Sequence, residues 1–381
     1  MNTIGDQGLP DERGALPRVA TVEGRRVRTL VLAGHGAHTR DELRRLCAAD
    51  AAPDAVSAED AIGATYVDAH HFAGVPGRRG DLVRRLPLVA AQSAEVLLHG
   101  KDHDAVLTWS DMPAIAVAGA TYAQRRRPAH VAILIWPSKL KKAALLRLAH
   151  HAIDRFIVPA PLQRRFMEDR LGIAPQRLVD AHYPVDTDFW RPMEGAGDVI
   201  CSVGQEMRDY KTLIEALRPL GMRCHIAAGT GAFQATSSRW WSGDVDEAAL
   251  PPGVTLGPKS FSDLRALYAR SRFVVVPLRP SDQDNGISVI LEAFAMGKAV
   301  ICTETPGQTG LLEHGVNCLR VPPYDVRALR EAIRELWDDE EKSRRLGAAG
   351  REAVVARYNL TQWRDALVRG VEEAVTLRRR P

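Results

Sequence analysis

The stretch "DNGISVILEAFAMGKAVICTE", residues 284–304, places a carboxylate inside a helix that is otherwise apolar. Asp284 and Asn285 are typical of a helix start because their side chains cap the first turn, and Gly286 permits a tight turn before it. Glu292 then falls in the second turn, among Ile, Val, Leu, Ala and Phe. Burying a carboxylate is costly unless it accepts a hydrogen bond, so Glu292 needs a donor from outside this helix.

The surroundings of this helix indicate what that donor is. A strand is predicted over 273–278, the helix over 287–296 and a further strand over 299–304, which is the pattern of a βα unit in a parallel sheet. The free N–H groups and positive dipole end of the helix start suit an anionic phosphate. A ribose would offer Glu292 two vicinal hydroxyl donors. The alternative is that Glu292 is an exposed position without a role.

A second motif, "SVGQEMRDYKTLIEAL" at 202–217, points to the same ligand. Gly204 ends a predicted strand, and Arg208 and Lys211 stand next to the start of the following helix. Arginine forms a fork that matches a diphosphate, and lysine adds a point charge. The alternative is that both are ordinary solvated charges.

The whole chain has a globular composition. Its 381 residues fit two domains better than one, with 45% apolar and 26% charged residues. The net charge of +4 does not favour nucleic acid as a partner. The five cysteines are scattered without zinc-like spacing, so we expect free thiols. Residues 1–26 lack the apolar core of a signal peptide, which predicts a flexible extension and a cytoplasmic protein.

Strands and helices alternate along both halves of the chain. Strands are predicted at 28–34, 105–110, 131–136, 155–160, 199–204, 223–229, 254–257, 273–278, 299–304 and 318–323. Helices are predicted at 39–48, 81–98, 112–125, 139–152, 161–171, 209–218, 261–270, 287–296, 325–337, 340–356 and 360–378. The Pro- and Asp-rich segment 182–192 reads as a connection between the halves. Two such α/β units form a cleft between the carboxyl ends of their strands.

Taken together, these motifs resemble the donor-binding domain of a retaining, family 4-type glycosyltransferase with the GT-B fold. That family has two glutamates separated by seven residues, and Asp284 and Glu292 stand at this separation. The stretches "GISVILEAFAMGKAVICTETPG" and "HGVNCLRVPPYDVRALREAI" are similar to the family, as is "PVDTDFWRP" between its domains. "SVGQEMRDYKTLIEA" is similar to a bacterial subgroup that has Gly-x-x-x-Arg-Asp-Tyr. The resemblance covers roughly residues 100 to 375.

The resemblance implies two Rossmann-like α/β domains that face each other across a cleft. Residues 27–190 would bind the acceptor, and residues 191–358 would bind the nucleotide sugar. Residues 359–381 would form a helix that crosses back to the N-terminal domain, and residues 1–26 would be the flexible extension.

The resemblance also implies roles for individual residues. Arg208, Lys211 and Asp284 would form the catalytic set, with Glu292 on the ribose and the two cations on the diphosphate. The predicted donor-binding residues are Gly204, Gly257, Pro258, Lys259, Asn285, Gly286, Ile287 and Glu292. The cleft residues predicted on the acceptor side are Gly34, His35, Gly36 and Trp136.

The reaction implied is retaining transfer from a UDP- or GDP-linked sugar, without a metal or other cofactor. The acceptor stays open between a small molecule, a glycan and a lipid-linked glycan. "DHD" (102–104) and "DVD" (244–246) resemble metal motifs but are interpreted as solvated acids. A nucleotide-sugar epimerase and a catalytically silent sugar-nucleotide-binding module are the alternatives. The basic helix "SKLKKAALLRLAHHAIDR" at 138–155 allows a weak contact with a membrane surface, at the inner face of the cell membrane.

Overall fold

The computed structural model describes residues 18–34, 38–124, 126–228, 245, 247–308 and 310–379. They form two six-stranded parallel sheets, each carrying helices, and one small hairpin. The two α/β units predicted from the sequence are therefore confirmed.

The first unit contains eight strands and eight helices in its described residues. The strands are β1 (Thr21–Val22), β2 (Arg25–Arg26), β3 (Thr29–Leu32), β4 (Ala64–Tyr66), β5 (Ala105–Trp109), β6 (Ala129–Ile133), β7 (Arg155–Val158) and β8 (Leu178–Asp180). The helices are α1 (Arg40–Ala48), α2 (Ser57–Asp60), α3 (Ala69–Ala73), α4 (Gly77–Arg85), α5 (Leu88–His99), α6 (Asp111–Thr121), α7 (Leu140–Ala149) and α8 (Pro161–Asp169).

The N-terminal sheet has the strand order β4-β3-β5-β6-β7-β8, and every neighbouring pair is parallel. Its central strands β3, β5 and β6 are almost wholly buried, which explains their continuous apolar sequences. The two edge strands were not predicted. Each has only three residues with mixed polarity, so neither gives a clear apolar run.

The second unit supplies the rest of the elements. Its strands are β9 (Val199–Val203), β10 (Cys224–Ala227), β11 (Val254–Leu256), β12 (Ser271–Val276), β13 (Ala299–Thr303) and β14 (Cys318–Val321). Its helices are α9 (Tyr210–Leu217), α10 (Phe261–Arg270), α11 (Ile287–Ala295), α12 (Val326–Asp338) and α13 (Glu340–Arg357), followed by α14 (Leu360–Arg379).

The C-terminal sheet has the strand order β11-β10-β9-β12-β13-β14, with all pairs parallel. Chain progression reverses between β9 and β12, so the loops after these two strands open a crevice at the carboxyl edge. The loop after β9 contains Arg208, and the loop after β12 leads into α11. The sheet topology thus brings the two motifs of the sequence together.

Helix α14 belongs to the second half of the sequence but packs on the N-terminal sheet. Its residues Trp363, Leu367 and Val371 are buried in one cluster with Val131 of β6 and Ile157 of β7. The apolar stripe of α14 therefore completes the core of the other domain.

The N-terminal segment differs from the prediction. Strands β1 and β2 form an antiparallel hairpin, and Ala20 before it is fully buried. The Thr21 N–H donates to Glu372 of α14 over 2.9 Å, and Arg18 pairs with the same carboxylate over 2.7 Å. The prediction of a flexible extension is therefore wrong for residues 18–26, while residues 1–17 lie outside the described part.

The helix predicted over 81–98 also differs. The chain forms α4 and α5 instead, with Pro87 between them. Proline lacks an N–H and disfavours helical backbone in the residue before it, so one continuous helix breaks at this point.

The carboxyl edges of the two sheets meet across the domain boundary. Trp136, which follows β6, donates from Nε1 to Asp282 in the loop after β12 over 3.0 Å. On another side of the boundary, Asp50 accepts from Arg191 and from Arg265 of α10, each over 2.8 Å. These contacts place the loops that carry the two motifs at the junction of the domains.

Candidate functional site at the carboxyl edge of the C-terminal sheet

Arg208 is a buried cation held by backbone carbonyls. Its Nε donates to Val203 over 2.9 Å, and its Nη1 donates to Glu206 over 2.8 Å. Gly204 has φ +100°, and a Cβ built on it would lie 2.4 Å from Arg208 Nη2. Glycine is therefore needed at this strand end both for its backbone and for the guanidinium beside it.

The start of α11 lies against the same guanidinium. Gly286 has φ +84° and is the N-cap, with no side-chain capping bond. A Cβ at Gly286 would lie 2.8 Å from Val276 Cγ1 and 3.6 Å from Arg208 Nη1. The prediction that Asp284 or Asn285 caps the helix is therefore wrong, because Gly286 is the N-cap residue and the Asn285 side chain donates to Ser281 instead.

This helix start differs from its neighbours in the described C-terminal domain. Helices α9, α10, α12 and α13 each begin with an Asp or Ser whose side chain accepts a backbone N–H. Helix α11 has glycine there, so no N-cap side chain accepts from its first N–H groups.

Glu292 points from α11 toward α10. Its Oε2 accepts a hydrogen bond from the hydroxyl of Tyr268 over 2.9 Å. The carboxylate keeps some solvent-accessible surface but is surrounded by protein, and this burial raises its pKa to about 7 despite the opposing effects of Tyr268 and the Arg208 guanidinium. Glu292 is therefore not a plain exposed helix position.

Asp284 lines a pocket at the junction of the two domains. Other lining residues include Tyr183, Ile287, Gln308 and Arg357. Burial raises the pKa of Asp284 to about 7. The pocket thus presents a half-buried carboxyl group next to the start of α11.

The other residues of the α11 start have internal contacts. The side-chain amide of Asn285 donates to Ser281 over 2.8 Å, and its carbonyl accepts from Gln308 over 2.8 Å. The N–H of Ile287 donates to the Asp284 carbonyl over 3.3 Å. Asn285 therefore shapes the loop with its side chain.

Lys211 lies apart from this buried group. It is exposed in the first turn of α9, and its charge acts on Glu215 one turn further along.

Gly257, Pro258 and Lys259 follow β11 at the same carboxyl edge. The Gly257 N–H donates to the Ile226 carbonyl over 3.1 Å, which fixes the loop to β10. Pro258 is exposed, and Lys259 helps to lower the pKa of His225, which burial lowers most.

The acceptor-side residues are only partly described. Gly34 is exposed at the end of β3, while His35 and Gly36 lie outside the described residues. Trp136 makes the interdomain bond to Asp282, and Lys139 Nζ lies 3.6 Å from the centre of its indole ring. Trp136 is thus a domain contact in this conformation.

The described residues show neither a metal cluster nor a membrane-spanning helix. They contain no group of three or more His, Cys, Asp or Glu side chains arranged to hold a metal ion. Asp104 of "DHD" pairs with Arg28 and Arg379, while Asp244 and Asp246 of "DVD" are not described. No described helix is long and apolar enough to cross a membrane.

Comparison with known proteins matches the site-bearing domain to a family. Residues 199–339 match the family model described as "Glycosyl transferases group 1". The chain is 26% identical over 324 residues, or 79% of its length, to an exopolysaccharide phosphotransferase of Streptomyces coelicolor. It is 27% identical over 143 residues, or 38% of its length, to the O-antigen chain mannosyltransferase C of Escherichia coli. The chain spans only 32% and 38% of the lengths of these two relatives.

A solved structure agrees with the fold of the whole chain. The Anabaena protein HepE, solved in complex with UDP and glucose, has a TM-score of 0.65 and 18% identity, and the match covers 90% of this chain and 98% of that one. The expected GT-B fold, with two Rossmann-like domains, is confirmed. Residues 199–339 are accordingly similar to the group 1 glycosyltransferase domain, and the whole chain has the fold of HepE.

Sequence reasoning missed several residues around the site. Tyr268 lies 24 positions before Glu292, and Tyr183 and Arg357 come from the connection and from the end of α13. A single weak signal existed for Tyr268: it follows Leu264 by four positions, on the buried stripe of α10. Nothing in the sequence pairs its hydroxyl with Glu292.

Proposed function

We propose that the chain is a retaining glycosyltransferase that takes a sugar from a nucleoside diphosphate. The observation that carries this proposal is that Arg208, the uncapped start of α11 and Glu292 meet at the reversal point of the C-terminal sheet. A buried cation, free N–H groups and a carboxylate are complementary to a diphosphate joined to a ribose.

The diphosphate would lie between Gly204 and Gly286. Both glycines have positive φ and leave room next to the Arg208 guanidinium. Negative charge grows on the diphosphate as the sugar–phosphate bond breaks, and preorganised donors stabilise that charge best. Lys211 would add its ammonium.

The ribose and the base would extend along the same edge of the sheet. Glu292 would accept from the two ribose hydroxyls, while the backbone at Gly257, Pro258 and Lys259 would hold the base. In this proposal the base is uracil or guanine, so the donor is a UDP- or a GDP-linked sugar. The HepE structure contains UDP and glucose, and this favours testing UDP-linked donors first.

The transferred sugar would occupy the pocket lined by Asp284. The Asn285–Ile287 backbone would flank it, and the Asp284 carboxyl would bind a sugar hydroxyl. The C1–O bond breaks with its electron pair on the diphosphate. The acceptor oxygen bonds C1 from the same face, and its proton passes to the leaving phosphate oxygen. No protein nucleophile is required.

A donor screen tests this function directly. UDP-glucose, GDP-mannose and UDP-N-acetylglucosamine are each incubated with the full chain, and slow hydrolysis is followed. Release of free sugar and nucleoside diphosphate from one donor is expected. Conversion to an isomeric nucleotide sugar would indicate an epimerase instead, and binding without turnover would indicate a silent binding module.

Arg208→Ala tests the diphosphate site. Loss of a charge-assisted bond is expected to weaken UDP or GDP roughly ten- to a hundredfold, while the free nucleoside is nearly unaffected. Arg334→Ala, on the exposed side of α12, is the matched control and should change neither affinity. Equal weakening of the nucleoside by Arg208→Ala would point to a collapsed loop.

We also propose that turnover needs no divalent metal, because Arg208, Lys211 and a helix start would meet the phosphate charge. EDTA should then leave the rate nearly unchanged. Loss of most activity on chelation, restored by Mn²⁺, would contradict this part of the proposal.

An anionic membrane surface is the proposed location of the acceptor. Large apolar side chains are exposed on α4 to α7, and Leu140 and Leu148 of α7 are 89% and 76% exposed. Residues 77–151 also contain twelve Lys and Arg against five Asp and Glu. Apolar anchors with basic neighbours favour an anionic lipid surface.

Vesicle flotation tests the surface. The wild-type chain should bind vesicles with phosphatidylglycerol more strongly than phosphatidylcholine vesicles, and Leu140→Ser with Leu148→Ser should abolish the difference. Leu377→Ser, on α14, is the control. Equal binding of wild type and double variant would reject a lipid contact at α7 and leave the donor proposal untouched.

A further inference from the structure

Tyr268 is a fully buried side chain whose hydroxyl bonds to Glu292. It lies in α10, and its ring packs edge-on against Trp190 with the ring centres 5.6 Å apart. Its hydroxyl donates to Glu292 Oε2 over 2.9 Å. A buried tyrosine hydroxyl needs a hydrogen-bond partner, and Glu292 supplies it. The Trp190 ring and the Glu292 carboxylate together hold the Tyr268 side chain in place.

The surroundings of Glu292 leave its other oxygen for a ligand. The titratable groups that act on Glu292 are Tyr268 of α10, Arg208 of the loop after β9 and Cys201 of β9. Arg208 donates to the carbonyls of Val203 and Glu206, so Tyr268 is the described side chain that holds the carboxylate. A neutral donor fixes the rotamer without neutralising the charge that ligand hydroxyls require.

We propose that Tyr268 is a positioning residue of the nucleotide site, which holds Glu292 by one oxygen so that the other faces the ribose. This inference rests on the proposed function. It adds a residue that acts only through Glu292 and touches neither sugar nor phosphate.

The proposal has a consequence for pH. Burial raises the pKa of Glu292 to about 7, and the bond from Tyr268 opposes this rise. Removing the hydroxyl should therefore raise the pKa further, so that the acid becomes protonated at higher pH. Ligand binding that needs the ionised carboxylate would then weaken most on the acidic side.

The test is Tyr268→Phe in the full chain, which keeps the ring against Trp190. Affinity for UDP-glucose and GDP-mannose is measured by calorimetry from about pH 8.5 to about pH 6. The diphosphate of these ligands has no group titrating near neutrality, unlike the terminal phosphate of UDP, whose pKa is about 6. The loss is expected to be a few-fold at about pH 8.5 and to grow to roughly tenfold or more at about pH 6.

Tyr66→Phe is the matched control. Tyr66 also donates to a buried glutamate, Glu59, over 3.2 Å, but in the N-terminal domain. It should leave the pH profile of nucleotide binding unchanged. In a Glu292→Gln background, Tyr268→Phe should lose its pH-dependent effect, because no carboxylate remains to titrate.

A second measurement preserves the test if Tyr268→Phe folds poorly. Wild-type chain produced with 3-fluorotyrosine has a stronger hydroxyl donor, so the pH at which binding falls should move down. The same labelled chain with Glu292→Gln should show no such movement.

The outcomes separate the two proposals. If Glu292→Gln weakens the nucleotide sugar but Tyr268→Phe and fluorination leave the pH profile unchanged, the positioning role is overturned and the donor site stands. A loss that is the same at every pH would also overturn it, since a general packing defect would act in that way. If wild type binds none of the ligands, the proposed function itself fails.

Discussion

At the scale of single residues, a change at Glu292 is the sharpest test of the proposed nucleotide site. Glu292→Gln keeps the size of the side chain but replaces one acceptor oxygen with a donor. Charge-assisted bonds of this kind are worth about 1.5–3 kcal/mol, so nucleoside diphosphate affinity should fall roughly ten- to a hundredfold. Calorimetric titration with UDP and GDP measures the change.

The control for this substitution is Glu352→Gln, an exposed position on α13. It should leave affinity unchanged. Fold stability should change little in the control, whereas Glu292→Gln should gain stability relative to wild type as pH rises from about 4.5 to about 7, because burial raises the pKa of Glu292 to about 7. Equal diphosphate binding by wild type and Glu292→Gln would mean that the acid is structural.

A second residue, Glu59, gives a prediction about pH and stability. Burial raises its pKa in the folded chain from 4.5 to about 7, although Arg40 and the Tyr66 hydroxyl oppose this. The unfolded chain therefore releases the proton first, and the native state loses stability as pH rises from about 4.5 to about 7. Glu59→Gln removes this loss.

The expected result is a gain for Glu59→Gln that is small at about pH 4.5 and reaches up to about 3 kcal/mol near pH 8, at about 1.4 kcal/mol per pKa unit. Thermal melts at both pH values measure it, and comparing the variant with wild type cancels all other titrating groups. A gain that is the same at both pH values would show that Glu59 does not titrate in this range.

The predicted site residues that the structure brings together are those next to strand ends. Gly204 and Arg208 follow β9, and Gly286 precedes α11, so strand order alone brings them to one edge. Tyr268 could not be predicted because its partner depends on how α10 and α11 lie side by side. The left-handed turn at Gly286, which stands where an Asp284 cap was predicted, leaves no space for a Cβ beside Val276, and only the packed structure shows this.

At the scale of elements, the turn from β9 to α9 depends on glycine at 204. Gly204→Ala would strain a backbone with φ +100° and push the new Cβ into the Arg208 guanidinium, 2.4 Å away. We expect lower stability and weaker diphosphate binding, because Arg208 must move.

Gly221→Ala is the matched control for this turn. Gly221 also has positive φ, +63°, but no atom lies within 4 Å of its added Cβ. Gly221→Ala should lower the free energy of unfolding by only about 1–2 kcal/mol, the cost of holding alanine in a left-handed backbone conformation. It should leave diphosphate affinity unchanged. Melting curves and titrations of both variants give the comparison. The same loss of affinity in both would exclude a specific role for the space at Gly204.

Elements with strong patterns were predictable, and short ones were not. The buried strands β9, β12 and β13 have continuous apolar runs, so their existence followed from the sequence. The edge strands β4 and β8 are held mainly by one neighbour each, and their three residues contain no clear pattern. Their formation depends on pairing that only the assembled sheet supplies.

At the scale of the whole molecule, the two domains share elements as well as a boundary. Helix α14 follows the C-terminal domain in the sequence but fills the core of the N-terminal one. Asp50 joins the N-terminal domain to Arg191 and Arg265 on the other side. The loops of the N-terminal domain therefore depend on both the sheet beneath them and the last helix of the chain.

This dependence predicts where a change in α14 is felt. Leu367 is fully buried in one cluster with Val131 and Ile157, so Leu367→Ala should destabilise the N-terminal domain by about 2–5 kcal/mol. Hydrogen exchange should show faster exchange in β5 and β6, while β12 and β13 keep their protection. Leu377→Ala removes the same atoms from a position on α14 that is 43% exposed, and it should cost less than about 1 kcal/mol. If Leu367→Ala accelerated exchange equally in both sheets, the domains would unfold as one unit and α14 would not belong to the N-terminal core alone.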